Sequence, residues 1–268
     1  MILITGPTGS GKSTSLFSIL SLLNKPAVNI STVEDPVEYK IPGANQTQVN
    51  PKAGMTFAAG LRALLRQDPN IIMVGEIRDI ETAGLGVQAA LTGHLVFATL
   101  HTNNAATCLP RLLDMGIEPF LIASTVRAVV GQRLVRRLCL DCRETYTPDA
   151  ATIKQISKTF GIDSPSVMLK VHELEEKARE SGVGRNILGP KRKQPSSDSL
   201  ATSETKIAQL WKAAVDGCNT CGHTGYKGRI GIYEVLGNTN AIQKLIVSNG
   251  TSDLIQEEAI KNGMITME

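Results

Sequence analysis

The chain has 268 residues, of which 42% are hydrophobic and 20% charged, with a formal net charge of +3. This is a globular composition with room for one sizeable core and a second small one. The small charge excess does not specify nucleic acid, and five cysteines at this length do not make a disulfide framework. No segment approaches 18 uncharged apolar residues and no signal sequence opens the chain, so the expected location is cytoplasmic, with membranes met only through partners.

In chain order, the apolar run Met1-Ile2-Leu3-Ile4 reads as a buried strand. Gly6-Pro7-Thr8-Gly9-Ser10-Gly11-Lys12-Ser13 follows and matches G-x-x-x-x-G-K-[ST] in full, and Leu16, Ile19, Leu20 and Leu23 continue at helical spacing. Strand, glycine turn and helix together aim several backbone N–H groups at one anion, where the helix dipole also favours negative charge. Lys12 is expected to reach the β- and γ-phosphates and the Ser13 hydroxyl to ligate Mg²⁺. Gly6, Gly9 and Gly11 allow close backbone approach, and Thr14 leads into the helix. The alternative is a chance glycine-rich turn, which would need flanking strand and helix by coincidence. The pattern predicts binding of a nucleoside triphosphate.

Residues 28–33 read as a second strand delivering Glu34-Asp35-Pro36-Val37-Glu38. Carboxylates at the C-terminal end of a strand in an α/β sheet lie at the ligand crevice, so Glu34 and Asp35 are candidates for holding Mg²⁺ or orienting water. A turn aspartate before proline is the competing structural reading. Residues 41–54 read as a loop with a short edge strand at 46–49, and residues 56–69 as a helix stopped by Pro69. Arg62 and Arg66, four apart, would share one face of it and suit a phosphate or a neighbouring subunit's carboxylate; a solvated face competes.

The apolar run Ile71-Ile72-Met73-Val74 predicts a strand ending in Gly75-Glu76-Ile77-Arg78-Asp79. In P-loop enzymes such a strand lies beside the P-loop strand, and an acidic residue at its end faces the γ-phosphate, so Glu76 is expected to polarise the attacking water. The usual aspartate position is here Gly75, which moves the metal-holding role to Glu34 or Asp35. Residues 80–91 read as a small-residue helix. His94 opens a strand over 95–100 that closes with His101-Thr102-Asn103-Asn104, placing His101 to sense the γ-phosphate, whereas His94 suits a structural role. Residues 104–116 and 118–137 read as two helices, the second ending in Arg133, Arg136 and Arg137.

Taken in order, Gly6 to Thr14, Thr32 to Glu38, Leu61 to Pro69, Val74 to Asp79 and Leu91 to Asn103 resemble the Walker A, Asp, arginine, Walker B and His boxes of the secretion ATPases, the ATPases of type II secretion and type IV pilus assembly. The resemblance covers residues 1 to about 140. It implies an α/β fold with a RecA-like P-loop core, forming a hexameric motor at the cytoplasmic face of the inner membrane. There it would use ATP and Mg²⁺ to act on a polytopic platform protein and drive pilin or pseudopilin assembly, with no nucleic-acid partner. It assigns Gly6, Pro7, Thr8, Gly9, Ser10, Gly11, Lys12, Ser13 and Thr14 to nucleotide and Mg²⁺, Glu76 to catalysis and Glu34 to metal and water. His101 falls to γ-phosphate sensing, and Arg62, Arg66 and Arg78 to intersubunit or nucleotide contacts, with Arg78 in the catalytic set. Asn104 departs from the family's usual aspartate.

In the second half, Cys139-x-x-Cys142 and Cys218-x-x-Cys221 have the spacing of a structural tetrahedral Zn²⁺ site. His223 is an alternative ligand, and Cys108 is left over. The separation of the pairs exceeds that of an ordinary zinc ribbon. The resemblance agrees with zinc, since assembly ATPases of the family commonly carry such an element and retraction ATPases lack it. Residues 170–179 read as an exposed charged helix and 182–205 as a mobile solvated insert. Gly222 to Glu234 alternates glycine with strand formers, and the resemblance brings Arg229 to the nucleotide. Two short helices follow, at 240–248 and 251–262.

The expected division is a RecA-like core over 1–138, a zinc-binding element over 139–235 and a helical segment over 236–268. The resemblance also implies an N-terminal domain before the P-loop strand and further C-terminal helices, so the chain reads as a piece of a longer protein. Two other functions share the P-loop: a DNA-translocating or conjugative ATPase, for which a basic stripe around the core is missing, and a non-hydrolysing nucleotide-gated assembly scaffold.

Overall fold

Short runs that are apolar at every position suit strands buried on both faces, and a parallel sheet covered by helices provides such places. The computed structural model describes residues 1–161 and 210–267; the charged helix and the insert expected at 170–179 and 182–205 lie outside the described residues. Strands β1 (Ile2–Thr5), β2 (Ile30–Glu34), β3 (Asn45–Gln48), β4 (Ile71–Val74), β5 (Leu95–Leu100), β6 (Ala128–Leu138) and β9 (Tyr226–Gly237) form one sheet in the order β3-β2-β4-β5-β1-β6-β9. From β3 to β6 along this order, each neighbouring pair runs parallel. The helices are α1 (Lys12–Leu23), α2 (Phe57–Leu64), α3 (Ile80–Leu91), α4 (Cys108–Asp114), α5 (Pro119–Thr125), α6 (Ala150–Phe160), α7 (Asn240–Val247) and α8 (Ser252–Lys261).

The chain divides into two units, Met1–Val135 with Gly231–Met267, and Arg136–Ile230. In the first, successive strand residues supply opposite faces of the sheet, as the period of two requires. Leu3, Ile72, Val74, Val96 and Ala98 belong to one buried cluster with residues of α2 to α5, α7 and α8. Ile4, Ile71, Met73 and Phe97 belong to another, closed by Leu16 and Leu20 of α1. The side-chain oxygens of Thr56, Asp79, Thr239 and Thr251 cap α2, α3, α7 and α8 by accepting backbone N–H bonds. Because Ile242, Ile246, Ile255 and Ala259 lie in the same core as the P-loop strand, the last two helices count with the P-loop unit rather than as a segment of their own. Among the described residues, no helix is long and apolar enough to cross a membrane.

The structure differs from the sequence reading at two places that bear on the site. The stretch expected as a helix over 118–137 is α5 followed by β6, which pairs in parallel with β1 from Ile2↔Ala128 to Thr5↔Gly131. Val129, Val130 and Val135 favour extended backbone and Gly131 weakens a helix, but a short apolar run does not reveal its own period. Helix α2 also ends at Leu64, short of Pro69: the N–H groups of Arg66 and Gln67 bond only three residues back, and Asp68 has φ 48°. A residue before proline is driven out of the helical region, so Arg66 sits in a turn and the expected shared helix face with Arg62 does not form.

The second unit contains α6 and an antiparallel pair, β7 (Glu144–Tyr146) with β8 (Leu210–Lys212). The guanidinium of Arg143 lies 4.0 Å from the ring centroid of Trp211, and that of Arg136 lies 4.0 Å from that of Tyr226. Cation–π contacts of this kind orient long side chains over aromatic surface.

Candidate functional site

The glycine loop leaves β1 at Gly6 and enters α1 at Lys12, with Pro7, Thr8 and Gly9 open to solvent. Two glycines are required by position. Gly6 has φ 150° and a Cβ there would collide with the Gln132 carbonyl, with Ser10 Oγ 2.7 Å away. Gly11, the residue before α1, has φ 86°, a left-handed backbone that side chains rarely adopt. A Gly6→Ala substitution is expected to lower stability by roughly 1–3 kcal/mol and to weaken ADP binding. Calorimetric melting and ADP titration check this, and an alanine protein that melts and binds like the parent would show that the loop can shift aside.

Lys12 Nζ donates to the carbonyls of Gly6 (2.9 Å) and Pro7 (3.2 Å), so the ammonium lies over its own loop. Burial lowers the Lys12 pKa, and the Glu76 carboxylate acts in the opposite direction, which puts the two side chains within electrostatic reach. The Ser13 and Thr14 side chains are exposed at the first turn of α1. The Thr14 hydroxyl is 3.3 Å from that of Tyr39, whose ring lies 4.9 Å from that of Phe17.

The strand order makes the rest of the site. β2, β4, β5 and β1 are neighbours running in parallel, so Glu34, Glu76, His101 and Gly6 all lie at C-terminal strand ends on one edge. This edge is where ligands bind in open α/β sheets. Glu76 is held from both sides: Oε1 is 3.1 Å from His101 Nε2, while Oε2 accepts from Arg78 Nε at 2.7 Å and pairs with a terminal guanidinium nitrogen at 2.6 Å. The bond to Glu76 raises the Arg78 pKa, and Asp35 lies 3.9 Å from the same guanidinium.

Glu34 is buried, and its Oε1 accepts from the Thr32 hydroxyl (2.6 Å) and the Gln46 amide (2.9 Å). Gly75 explains the departure from the usual aspartate: a Cβ there would lie 3.2 Å from both the Glu34 Cα and the Val33 carbonyl, tighter than ordinary contact. Thr5, at the end of β1, accepts the Thr102 N–H at 3.0 Å and ties the loop after His101 to the P-loop strand.

Not every expected residue joins this group. Arg62 pairs with Glu81 at the surface, an exposed ion pair that contributes little to stability. Arg66 has no ion-pair partner among the described residues. Arg229 is exposed in the second unit. His94 Nδ1 is within hydrogen-bond distance of the Ala89 carbonyl (3.0 Å) and the Thr92 hydroxyl (3.1 Å), a structural role between α3 and β5.

Two residues escaped the sequence reading, Gln132 and Glu234. Gln132 donates from Nε2 to the Ser10 carbonyl at 2.8 Å and accepts from the Ser15 hydroxyl at 2.9 Å. The buried Glu234 accepts the Ala105 N–H, just beyond the His101 loop. Only the recognition of 128–138 as a strand beside β1 would have pointed to Gln132.

In the second unit, the Sγ atoms of Cys139, Cys142, Cys218 and Cys221 all lie within 4.8 Å of one another. Cys139–Cys218 and Cys142–Cys221 are each separated by 3.8 Å. Four thiolates about 2.3 Å from a central Zn²⁺ in a tetrahedron are about 3.8 Å apart, so the geometry is compatible with a metal centre. Burial works against the Cys221 thiolate, but backbone N–H groups of Cys218 and Gly225 donate to its sulfur and lower its pKa to about 6. His223 faces elsewhere, with its ring nitrogens on the Asp216 carbonyl and Asn219 Oδ1. Cys108 is a core thiol whose pKa burial pushes up to about 12.

A family model described as "Type II/IV secretion system protein" matches residues 1–267. The chain belongs to this family. It is 46% identical over 267 residues to the type IV pilus assembly ATPase PilB of Thermus thermophilus, covering 100% of this chain and 25% of that protein. With the type II secretion system ATPase E of Vibrio cholerae it is 46% identical over 257 residues, covering 96% of this chain and 42% of that protein. The chain thus spans less than half the length of these relatives. Among solved structures, the pilus retraction motor PilT with bound ADP superposes with a TM-score of 0.56 at 26% identity, covering 99% of this chain and 58% of that one. The Legionella pneumophila ATPase DotB shares the fold with a TM-score of 0.57 at 22% identity, covering 99% of this chain and 53% of that one. The relatives are pilus assembly and secretion ATPases, as the motif order implied.

Proposed function

We propose that this chain is the catalytic part of a Mg²⁺-dependent ATPase motor that powers pilin or pseudopilin assembly. The observation that carries the reading is the Glu76 carboxylate, clamped by His101 and Arg78 at a strand end within electrostatic reach of the P-loop Lys12. Backbone amides of the glycine loop and the Lys12 ammonium bind the triphosphate, and the Ser13 hydroxyl holds Mg²⁺. When bound, the ion polarises the phosphoryl oxygens and neutralises charge that develops on them. Glu76 accepts a hydrogen bond from the attacking water and orients it in line. Arg78 and His101 fix the carboxylate's direction, and His101, exposed on its outer side, reports the γ-phosphate to the loop tied to Thr5. Glu34 orients water of the metal shell.

In a ring of identical subunits, a hexamer, Arg62, Arg66 or Arg229 of one copy complements the nucleotide or a carboxylate of the next. The exposure of all three supports this assignment. Cys139, Cys142, Cys218 and Cys221 hold a structural Zn²⁺, supported by the gathering of the four sulfurs within 4.8 Å of one another, with two pairs 3.8 Å apart. The assembly works at the cytoplasmic face of the inner membrane on a polytopic platform protein, a placement supported by the pilus and secretion relatives.

Steady-state hydrolysis tests the reading. This chain and a longer form carrying an N-terminal domain are compared with and without Mg²⁺, and turnover is expected to require Mg²⁺ and to rise in the longer form. ADP binding without hydrolysis in either form would leave the non-hydrolysing scaffold instead.

A further inference from the structure

Gln132 is a buried amide that neither the motifs nor the family boxes assign. Its position follows from register: Thr5 is opposite Gly131, so the next residues of the two parallel strands, Gly6 and Gln132, are level where β1 gives way to the glycine loop. Every polar atom of Gln132 on that side meets the loop or the helix it opens. Nε2 donates to the Ser10 carbonyl at 2.8 Å, Oε1 accepts from the Ser15 hydroxyl at 2.9 Å, and the main-chain carbonyl closes off the space a Gly6 side chain would need. Nε2 also lies 3.0 Å from where a Gly11 Cβ would sit, so the amide packs against the left-handed residue that starts α1. Among the described residues the buried Ser10 hydroxyl has no hydrogen-bond partner, so this residue is held through its backbone groups and not through its side chain.

We infer that Gln132 is the positioning residue of the phosphate loop: a two-handed clamp that fixes the Ser10 peptide against the first turn of α1 and so aims the loop N–H groups. The inference rests on the nucleotide-binding reading of the loop. An amide is the side chain suited to this task, because one end must donate to a carbonyl while the other accepts from a hydroxyl. A carboxylate would set two acceptors against each other at Ser10, and an aliphatic chain of the same length would leave the buried carbonyl unpaired. The loop would still form, held by Gly6 and the Ser10 N–H bond to the Pro7 carbonyl, but its amides would point less uniformly at a phosphate.

The test is ADP titration by calorimetry on the whole chain, with melting of the nucleotide-free protein measured in parallel. Gln132→Met, which keeps length and loses both bonds, is expected to weaken ADP binding about tenfold, and Ser15→Ala, which loses one, about threefold. Gln132→Glu should fall with Gln132→Met. Ile246→Val, a core change in α7 far along the chain, serves as the control for general destabilisation and should bind ADP like the parent.

A folded Gln132→Met protein with parental ADP affinity overturns the inference, as does an Ile246→Val protein that weakens ADP binding equally at the same melting temperature. If Gln132→Met does not fold, Ser15→Ala decides, and unchanged affinity there overturns it. Failure of the parent chain to bind ADP would overturn the nucleotide reading and this inference together, which separates it from failure of the clamp alone.

Discussion

Replacing Glu76 by glutamine is expected to lower the rate of Mg²⁺-dependent ATP hydrolysis by roughly 10²–10⁴-fold, the range of positioned general-base groups, while ADP still binds. Glutamine preserves the shape of the side chain and one acceptor oxygen, so the loop, Lys12 and the strand ends keep their places. What it loses is the charge. Oε2 takes both the Nε and a terminal nitrogen of Arg78, and Oε1 faces His101. An amide nitrogen turned toward Arg78 would put donor against donor, so the neutral oxygen of glutamine is drawn to the guanidinium and no anionic acceptor is left to orient the water. The paired measurement is single-turnover hydrolysis and ADP affinity on the same preparation. A Glu76→Gln protein hydrolysing ATP at the parental rate would sink the assignment of Glu76 and shift it to Glu34. A variant that loses binding and hydrolysis together would place Glu76 in ground-state recognition instead.

The second large effect is expected at the cysteine cluster. Metal analysis of the purified chain should find one zinc per molecule, and Cys218→Ser with Cys221→Ser should reduce it to less than about a tenth of that and lower the melting temperature sharply. Structural Zn²⁺ binding is coupled to folding with an apparent free energy on the order of 10–16 kcal/mol, more than most domains have in total stability. The paired sulfurs are 79 residues apart in sequence, so each thiolate pair closes a long loop. At 3.8 Å the pairs are well beyond the roughly 2.05 Å of a disulfide, and the two predictions separate cleanly. Mass spectrometry that found Cys139 linked to Cys218 and Cys142 to Cys221, with no zinc, would replace the metal reading by a redox one.

The residues behind both predictions stand out in the sequence for one reason. The P-loop, Glu76 and His101 could be read from the sequence because each belongs to a contiguous motif: an apolar strand followed at once by the residues it presents. Strand ends are local, and local patterns carry the chemistry of a phosphate cradle in a few adjacent letters. The cysteine pairs were legible as two knuckles for the same reason.

Sequence did not reveal which groups meet. Glu34, Glu76, His101 and the P-loop share an edge because the strands assemble in the order β2-β4-β5-β1, and that order comes from how the two apolar faces are covered by helices. The turn that removes Arg66 from α2 depends on the conformation of Asp68, and β6 was mistaken for a helix because its partner strand β1, adjacent in the sheet, lies far away in the sequence and a short apolar run does not reveal its own period. Gln132 and Glu234 were invisible for the deepest reason. Their partners lie 122 and 129 positions away, at Ser10 and Ala105, and a single buried polar residue carries no periodicity. The sequence by itself determined which residues stand at each strand end; only the tertiary structure decided what braces them, because a hydrogen bond across the sheet is specified by register and burial, not by neighbours in the chain.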